Sequence, residues 1–233
     1  MLDLHTHILP GMDDGSKNLR QSMKMLANEK KQGVTNVVLT PHFYAFRESP
    51  DTFLARRKTA AALLESGAAG EKGLPNRFLG AEVAFFTGMS RAEAIDGLCI
   101  GKTNALLVEM PFERWTPGVY EELSYLVSNR GICPIIAHVE RYMWYQPRSS
   151  IRKLCGTGVR IQANTSFFTR WQTSLLAMYM LKRHEIHFIG SDCHNMKTRP
   201  PNMGDAVSRI EKILGKGVLS YMERMEQWLL EGV

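Results

Sequence analysis

A short segment near the amino terminus has residue types that could bind a metal ion. It reads LDLHTHILPGMDDG, residues 2–15, and contains two histidines and two adjacent aspartates. If the chain is extended at His5 and His7, residues i and i+2 point the same way, so both imidazoles can reach one ion. The paired aspartates, followed by glycine, are also typical of an ordinary turn. The segment by itself leaves a metal site and a polar terminus open.

Similar residues occur at the end of each later apolar run. In chain order, with the first pair included, the polar residues at these ends are His5, His7, His42, Glu82, Glu109, His138, Asn164, Asp192 and His194. Taken singly, a histidine on an apolar strand is more often a core residue, and a glutamate at a strand end is more often solvated. Five of the 7 histidines share this placement with three carboxylates, so the whole set indicates a metal centre. We expect the other two histidines, His184 and His187, to be structural.

The alternation of short apolar runs with longer helix-like segments predicts a parallel α/β fold. The predicted strands are residues 2–5, 36–40, 77–81, 105–109, 133–138, 159–163 and 186–190. The predicted helices are residues 18–32, 52–65, 91–95, 118–129, 148–155, 172–184, 203–214 and 217–230. In barrels of alternating strands and helices the carboxyl ends of the strands form one mouth, which would bring the candidate ligands together. No segment resembles a linker, so we expect one domain over residues 1–233.

The number of candidate ligands exceeds what one ion needs. Four-coordinate zinc takes three or four protein ligands, and manganese or iron takes up to about six including water. Two or three divalent ions are therefore implied, and the Glu82 carboxylate suits a bridging position. Mixed histidine and carboxylate ligands accept several divalent ions; we expect Mn²⁺, with Fe, Zn, Co or Mg as alternatives. Such ions activate water and neutralise a phosphoryl group.

The motifs DLHTHILPGMDDG, TPHF, GAEV, AHVERY, QANTSF and GSDCHNMKTRPP extend over most of the chain, from Leu2 to Pro201. In order and spacing they resemble the polymerase and histidinol phosphatase (PHP) superfamily. Within it they are most similar to bacterial metal-dependent protein-tyrosine phosphatases of capsule and exopolysaccharide biosynthesis. The resemblance implies an α/β fold, a distorted seven-stranded β/α (TIM-like) barrel, with the metal site at the C-terminal ends of the strands.

Transferred motif by motif, the resemblance implies three ligand sets and two phosphate contacts. The first set is His5, His7, Glu82 and Asp192, the second is Glu82, Glu109 and His138, and the third is Asp14, His42 and His194. Asp13 is the alternative to its neighbour in the third set. Arg141 and Arg199 would contact phosphate, with an exposed salt bridge as the alternative for each. A metal-bound hydroxide would be the nucleophile.

The implied substrate is a phosphotyrosine protein, specifically an autophosphorylating bacterial tyrosine kinase that controls capsule or exopolysaccharide synthesis. After His42 comes a loop with Phe43, Tyr44, Phe46 and Arg47, which we expect to cradle the substrate ring; ordinary packing at the rim is the alternative. The net charge is +6, but its basic residues are scattered, so no nucleic-acid partner is expected. Neither a signal peptide nor a membrane span is evident, so we expect no membrane insertion and a cytoplasmic location. The oligomeric state stays open.

Three other functions compete with this interpretation. The spacing of Cys193 and Arg199 fits CxxxxxR, the pattern of thiolate-based tyrosine phosphatases. That loop usually relies on glycine, which the intervening residues lack, and Asp192 and His194 are better used as ligands. A phosphatase for a small metabolite such as histidinol phosphate, or a phosphoesterase for nucleic-acid ends, would use the same metal chemistry. A non-catalytic metal-binding regulatory protein is the alternative from another class.

Overall fold

Short parallel strands alternate with helices along the chain, whose residues 1–231 are described by a computed structural model. The strands are β1 Leu2–Thr6, β2 Asn36–Leu39, β3 His42–Phe43, β4 Asn76–Leu79, β5 Glu82–Ala84, β6 Ala105–Glu109, β7 Cys133–Ile136, β8 Arg160–Asn164 and β9 Phe188–Gly190. The helices are α1 Leu19–Lys31, α2 Pro50–Ala68, α3 Pro117–Arg130, α4 Arg148–Cys155, α5 Thr165–Thr169, α6 Ser174–Lys182, α7 Met203–Leu214 and α8 Lys216–Glu231. Short 3-10 helices cover Met89–Arg91, Ile95–Leu98 and Val139–Tyr142.

The strands form two parallel sheets. One contains three strands in the order β1, β2, β4, and the other contains six in the order β3, β5, β6, β7, β8, β9. Within each sheet, every pair of neighbouring strands is parallel. Parallel strands need crossover connections, which the helices supply. The predicted α/β class with parallel strands is confirmed.

The strand count differs from the predicted seven because a short, unpredicted strand follows each of two predicted strands. The predicted strand 36–40 ends at Leu39, and β3 begins at His42 after Pro41, which has no N–H to donate to a sheet. Likewise the predicted strand 77–81 ends at Leu79, and β5 begins at Glu82. Here the three-stranded sheet gives way to the six-stranded one. Strands of two or three residues are too short for hydrophobic periodicity to reveal.

The carboxyl end of β1 lies beside the segment that follows β9. Thr6 and Cys193 form an isolated parallel bridge. The His7 N–H donates to the Cys193 carbonyl at 2.9 Å, and the Asp192 N–H donates to the His5 carbonyl at 2.8 Å. These hydrogen bonds join the first and last strands at the end that carries the candidate ligands.

Local signals explain where the first three helices begin. Asn18 caps α1 by accepting the Gln21 N–H at 3.0 Å, and proline opens both α2 and α3. The predicted helix 91–95 is wrong, since that region has only 3-10 turns, and α5 was not predicted. Of the two other histidines, His184 stacks on Tyr221 at 4.0 Å. Within residues 1–231, none of the helices has the length and apolar character needed to cross a bilayer.

Candidate metal centre

All nine predicted ligand side chains converge at the carboxyl end of the strands. They come from β1 and the loop after it, from the first residues of β3 and β5, from the end of β6, and from the loops after β7 and β9. They are His5, His7, Asp14, His42, Glu82, Glu109, His138, Asp192 and His194. Because all the strands are parallel, their carboxyl ends meet although the sequence separates them widely.

Side-chain atoms of His5, His7, Glu82 and Asp192 lie close together, and each histidine Nε2 is near one oxygen of Glu82 and one oxygen of Asp192. The two histidine Nε2 atoms lie 3.1 Å apart. Glu82 Oε2 lies 3.1 Å from the first and 3.3 Å from the second, and Asp192 Oδ1 lies 3.6 Å and 3.4 Å from them. A tetrahedral ion with bonds of about 2.0–2.2 Å would separate its ligands by about 3.3–3.6 Å. These atoms have the chemistry and the spacing for one ion.

Glu82 presents its two oxygens to different groups of histidines. Its Oε2 lies 3.1 Å from His5 Nε2 and 3.0 Å from His42 Nδ1. Its Oε1 lies 2.8 Å from His138 Nε2. Glu109 Oε1 is 3.5 Å from the same nitrogen. A carboxylate arranged in this way can bridge two cations.

A third group lies closer to solvent. Asp14 Oδ1 is 3.6 Å from His42 Nε2 and 3.5 Å from His194 Nε2. Asp13 instead points inward: its Oδ2 is 2.7 Å from His7 Nδ1 and accepts the His42 N–H at 2.9 Å. Asp13 therefore orients ligand histidines, while Asp14 has a carboxylate free to bind an ion. The geometry favours Asp14 over its neighbour.

Several of the converging atoms are buried without a hydrogen-bond partner. Among residues 1–231 this group includes His42 Nδ1, Glu82 Oε2 and His194 Nε2. The first two are 3.0 Å apart, so their missing hydrogen bond reflects orientation rather than distance. Buried polar atoms without partners are rare in native proteins because their desolvation is not compensated. Their lone pairs suit a cation at this position.

The electrostatics of the centre favour positive charge. Burial opposes ionisation of Glu82, but the charge of His5 and the hydrogen bond with His138 hold its pKa well below the usual range. Burial likewise opposes the charged form of His138, yet the hydrogen bonds to Glu109 and Glu82 raise its pKa to about 9. The carboxylates thus attract protons onto the imidazoles, and a divalent ion competes for the same positions.

Two of the converging residues have a left-handed backbone. His138 has φ of 33° and Asp192 has φ of 53°, a region that side chains other than glycine rarely adopt. Both come directly after parallel strands, where the chain turns sharply into the next loop. Strain of this kind concentrates at functional sites, where the surrounding structure holds it in place. Here it aims both side chains into the centre.

Arg141 and Arg199 meet on one oxygen of Asp192. Arg141 Nη2 donates to Asp192 Oδ2 at 2.6 Å, Arg199 Nη2 forms an ion pair with the same oxygen at 2.6 Å, and Asn164 Nδ2 donates to it at 3.0 Å. Asp192 Oδ1 remains directed at the histidines. The arginine side chains keep 37% and 38% of their surface exposed, so other guanidinium N–H groups face the open cavity beside the centre. The arginines thus have both an ion pair and accessible donors.

The aromatic loop divides into buried and exposed parts. Phe43 is fully buried and packs edge-on against Phe53, so its prediction as a substrate contact was wrong. It lies in a strand, where alternate residues face the core. Phe46 is 81% exposed, Tyr44 stacks on His42 at 5.3 Å, and Arg47 lies over the Tyr44 ring at 4.5 Å. These three residues remain at the rim.

Some residues of the centre were missed by the sequence analysis. Gln162 Oε1 accepts the His138 N–H at 2.6 Å and lies 3.4 Å from His5 Nδ1. Tyr142 Oη lies 3.2 Å from His138 Nδ1 and accepts the Met110 N–H at 2.8 Å. Such contacts fix the orientation of a ligand imidazole. The i, i+2 spacing of Gln162 and Asn164 on one strand was the available signal.

Half-exposed Phe112 was also missed. Its ring centroid lies 6.2 Å from that of His138, on which it stacks, and 5.4 Å from that of Tyr142.

Cys193 of the CxxxxxR pattern is fully buried, and burial together with the charge of Glu29 raises its pKa well above the usual range. A buried neutral thiol cannot attack a substrate phosphorus.

Comparison with known proteins identifies a family and several relatives. The sequence profile described as "Capsular polysaccharide synthesis, CpsB/CapC" matches residues 1–226. The chain is 29% identical to tyrosine-protein phosphatase YwqE of Bacillus subtilis, covering 95% of this chain and 88% of that protein. It is 28% identical to tyrosine-protein phosphatase CpsB of Streptococcus pneumoniae, covering 92% of this chain and 91% of the other.

Solved structures show the same similarity. A structure from a study of Bacillus subtilis YwqE and Streptococcus pneumoniae CpsB, described as unique metal-dependent tyrosine phosphatases, superposes with a TM-score of 0.88 at 26% identity. It covers all of this chain and 96% of that one. A putative histidinol phosphatase from Listeria monocytogenes has a TM-score of 0.55 at 11% identity, covering 91% of this chain and 99% of that one, and shares the fold alone.

Proposed function

The chain belongs to the CpsB/CapC family of capsular polysaccharide synthesis, and from this premise we propose that it is a metal-dependent protein-tyrosine phosphatase. One observation carries the proposal: the Nε2 atoms of His5 and His7 lie 3.1 Å apart, and each is 3.1–3.6 Å from an oxygen of Glu82 and an oxygen of Asp192, spacings that suit the ligands of a metal ion. The names of the relatives describe the same activity. The reaction class is hydrolysis of a phosphoric monoester.

In the proposed arrangement three sets of side chains hold two or three divalent ions. The sets are His5, His7, Glu82 and Asp192; Glu82, Glu109 and His138; and Asp14, His42 and His194. Manganese is the ion we favour for these mixed ligands, while Fe, Zn, Co and Mg match some of the same donors. When bound, such ions supply a nucleophilic water near neutral pH and neutralise the charge of the transferring phosphoryl group.

The protein's own residues orient the substrate. Arg141 and Arg199 hold the non-bridging oxygens of the phosphate through the N–H groups that their contact with Asp192 leaves accessible. Because Asp192 anchors both, the direction of these donors is set before substrate binds. Tyrosine has a reference pKa of about 10, so tyrosinate leaves with arginine assistance and little need for a general acid. No covalent enzyme intermediate is required.

At the rim, exposed aromatic side chains contact the tyrosine ring. Phe46 and Tyr44 present ring surface beside His42, and Arg47 covers the Tyr44 ring. Contact between aromatic rings is worth about 0.5–1.5 kcal/mol beyond burial of area. This preference distinguishes phosphotyrosine from phosphoserine.

The finer description of the fold belongs to the same proposal. Counting β2 with β3, and β4 with β5, as single interrupted strands, the two sheets together are a distorted seven-stranded β/α barrel. The bridge between Thr6 and Cys193 supports this interpretation, because it links β1 to the end of β9. One domain then carries the whole function over residues 1–233, of which residues 232 and 233 lie outside the described structure.

We assign the physiological substrate to a phosphotyrosine protein, an autophosphorylating bacterial tyrosine kinase that controls capsule or exopolysaccharide synthesis. The description of the family supports the capsule context. A kinase labels its tyrosines with ATP, so we place the phosphatase in the cytoplasm. Deleting the gene should raise the phosphotyrosine content of that kinase, as an antiphosphotyrosine blot of cytoplasmic and membrane fractions would show.

A substrate panel tests the proposed activity. The purified protein is assayed on a phosphotyrosine peptide, a phosphoserine peptide and histidinol phosphate, with Mn²⁺ and with a chelator. We expect release of phosphate mainly from the phosphotyrosine peptide, and its loss with chelator. Faster turnover of histidinol phosphate would overturn the assignment of substrate. Activity that resists chelation but disappears in Cys193→Ser would overturn the metal chemistry.

A further inference from the structure

A polar groove leads away from the metal centre toward α7. Three adjoining cavities form it, and Thr169 lines all of them. The first cavity contains Asp192 with Arg141 and Arg199, and it shares Asn202 with the cavity that follows α7. The groove is therefore continuous with the position at which the scissile phosphate would bind.

One face of α7 forms the outer part of the groove. Asp205, Arg209 and Lys212 have i, i+4 and i+7 spacing, so they lie on the same side of the helix. The opposite side is buried in the core through Met203 and other apolar residues. The outward face is thus fixed in position by the packing of the helix.

The cations of this groove have few partners within the protein. In residues 1–231 the side chains of Arg170 and Lys212 make no hydrogen bond or ion pair, and Arg170 is exposed at the end of α5. Arg209 donates only to Ser174 Oγ, at 3.1 Å, and its Nε is buried without a partner. In the described residues, the carboxylates that line the groove outside the centre are Asp205, beside Arg209 and Lys212, and Glu140, in the cavity that Arg170 also lines.

We propose that this groove binds an acidic peptide segment next to the target phosphotyrosine. The inference rests on the proposed phosphatase function and specifies its substrate. Lys212 follows Asn202 by ten residues, which is about 15 Å along a helix. An extended peptide covers that length in about four or five residues. Acidic residues are therefore recognised within about five positions of the phosphotyrosine. Trp171 adds an exposed apolar wall.

The test compares two peptides that differ only in charge. Both carry a non-hydrolysable phosphonate analogue of phosphotyrosine, and one has Asp or Glu, the other Ser or Gln, at the five flanking positions on each side. Binding is measured by fluorescence anisotropy in the presence of Mn²⁺. We expect the acidic peptide to bind about fivefold to tenfold more tightly, with the ratio falling at high salt.

Two double variants locate the effect. Arg170→Glu with Lys212→Glu should bring the ratio of affinities close to one. Lys24→Glu with Lys58→Glu changes the net charge equally at exposed positions on α1 and α2 and should preserve the ratio. Equal ratios in the two variants, or no preference in the wild-type protein, would overturn the inference. Turnover of the hydrolysable phosphotyrosine peptide reports separately on the proposed activity, so either conclusion can fail without the other.

Discussion

At the scale of single residues, Glu82 connects the ligand groups. Its Oε2 lies 3.1 Å from His5 Nε2 and its Oε1 lies 2.8 Å from His138 Nε2. Glu109 Oε1 lies 3.5 Å from His138 Nε2, in the second of these groups. Removing one carboxylate should therefore have a different consequence from removing the other.

We expect Glu82→Gln to lose two ions and Glu109→Gln to lose at most one, because an amide has no charge and one oxygen instead of two. Turnover of a phosphotyrosine peptide should fall at least about a hundredfold in Glu82→Gln. Elemental analysis of the purified proteins gives the metal content. Glu65→Gln, at an exposed ion pair with Arg77, is the control. If Glu82→Gln retained as much metal as this control, the bridging assignment would be wrong.

The exposed ring of Phe46 permits a test of substrate preference. Phe46→Ala should lower kcat/KM for a phosphotyrosine peptide by about threefold to tenfold, since it removes one aromatic contact, and should leave phosphoserine turnover unchanged. Tyr125→Ala, which removes a ring of 46% exposure from α3, is the control. Steady-state kinetics on both peptides decide the matter, and an equal loss on both would exclude a ring contact.

At the scale of elements, the centre depends on the close approach of β1 and β9. A Cβ added at Gly190 would lie 2.6 Å from His5 Cβ and 3.0 Å from Gln162 Nε2. Gln162 also accepts the His138 N–H, so a displacement of Gln162 would shift His138 as well as His5. Packing between these strands therefore sets the ligand positions.

Gly190→Ala should destabilise the protein by about 1–3 kcal/mol, because neither strand can move without disturbing the centre. Metal affinity should fall together with stability. Denaturant unfolding and metal titration measure the two effects. Gly217→Ala, where an added Cβ meets nothing within 4 Å, should leave metal affinity unchanged and should not lower stability, because alanine is the better helix former by up to about 1 kcal/mol. An unaltered metal affinity in Gly190→Ala would show that the strands adjust freely.

His187 makes the contact between β8 and β9 sensitive to pH. The Ile161 N–H donates to its Nδ1 at 3.2 Å, and burial with the nearby charge of Arg160 lowers the pKa of His187 to about 3. The unfolded chain binds a proton near pH 6.5, whereas the folded protein does not, so stability is lost as pH falls below that value. The contribution of neutral His187 to the free energy of unfolding decreases by roughly 2 kcal/mol between pH 7 and pH 5.

Replacing His187 by Asn keeps an acceptor and removes this titration. We expect the free energy of unfolding of the wild-type protein to decrease more steeply between pH 7 and pH 5 than that of His187→Asn. Urea denaturation at several pH values measures the difference. Parallel pH profiles for the two proteins would contradict the assignment.

At the scale of the whole molecule, the ligands join segments from both ends of the chain. His5 Nε2 and Asp192 Oδ1 lie 3.6 Å apart although most of the sequence lies between the two residues. Ions at this position would bind the folded chain far more tightly than the unfolded one, and binding stabilises the state that binds. Metal content and global stability should therefore change together.

Saturating Mn²⁺ should raise Tm by about 5–10 °C relative to the chelated protein, as expected for an ion present at about a hundred times its Kd. Differential scanning calorimetry with and without chelator measures this shift. Glu82→Gln should show a much smaller shift, which separates specific binding from a general salt effect. A Tm that does not respond to either treatment would contradict binding at the centre.

The sequence alone predicted the class of fold and the chemistry of the centre. Strand β6 and helices α4 and α7 have the predicted bounds, because buried runs and helical periodicity are local properties of the chain. The predicted ligand positions also converge, since the carboxyl ends of parallel strands and the loops that follow them meet at one edge of the sheet. The interruption at Pro41 and the short strands β3 and β5 could not be predicted with confidence from so few residues.

The tertiary structure decided which neighbours each side chain has. Phe43 entered the core although its loop looked exposed, and Gln162 and Tyr142 emerged as partners of ligand histidines. Asp14 was separated from Asp13 by the direction of each carboxylate rather than by residue type. Residue type determines which atoms a side chain can bind, and the sequence alone gives the residue types. Which atoms lie within 4 Å depends on packing between segments distant along the chain, which only the folded protein fixes.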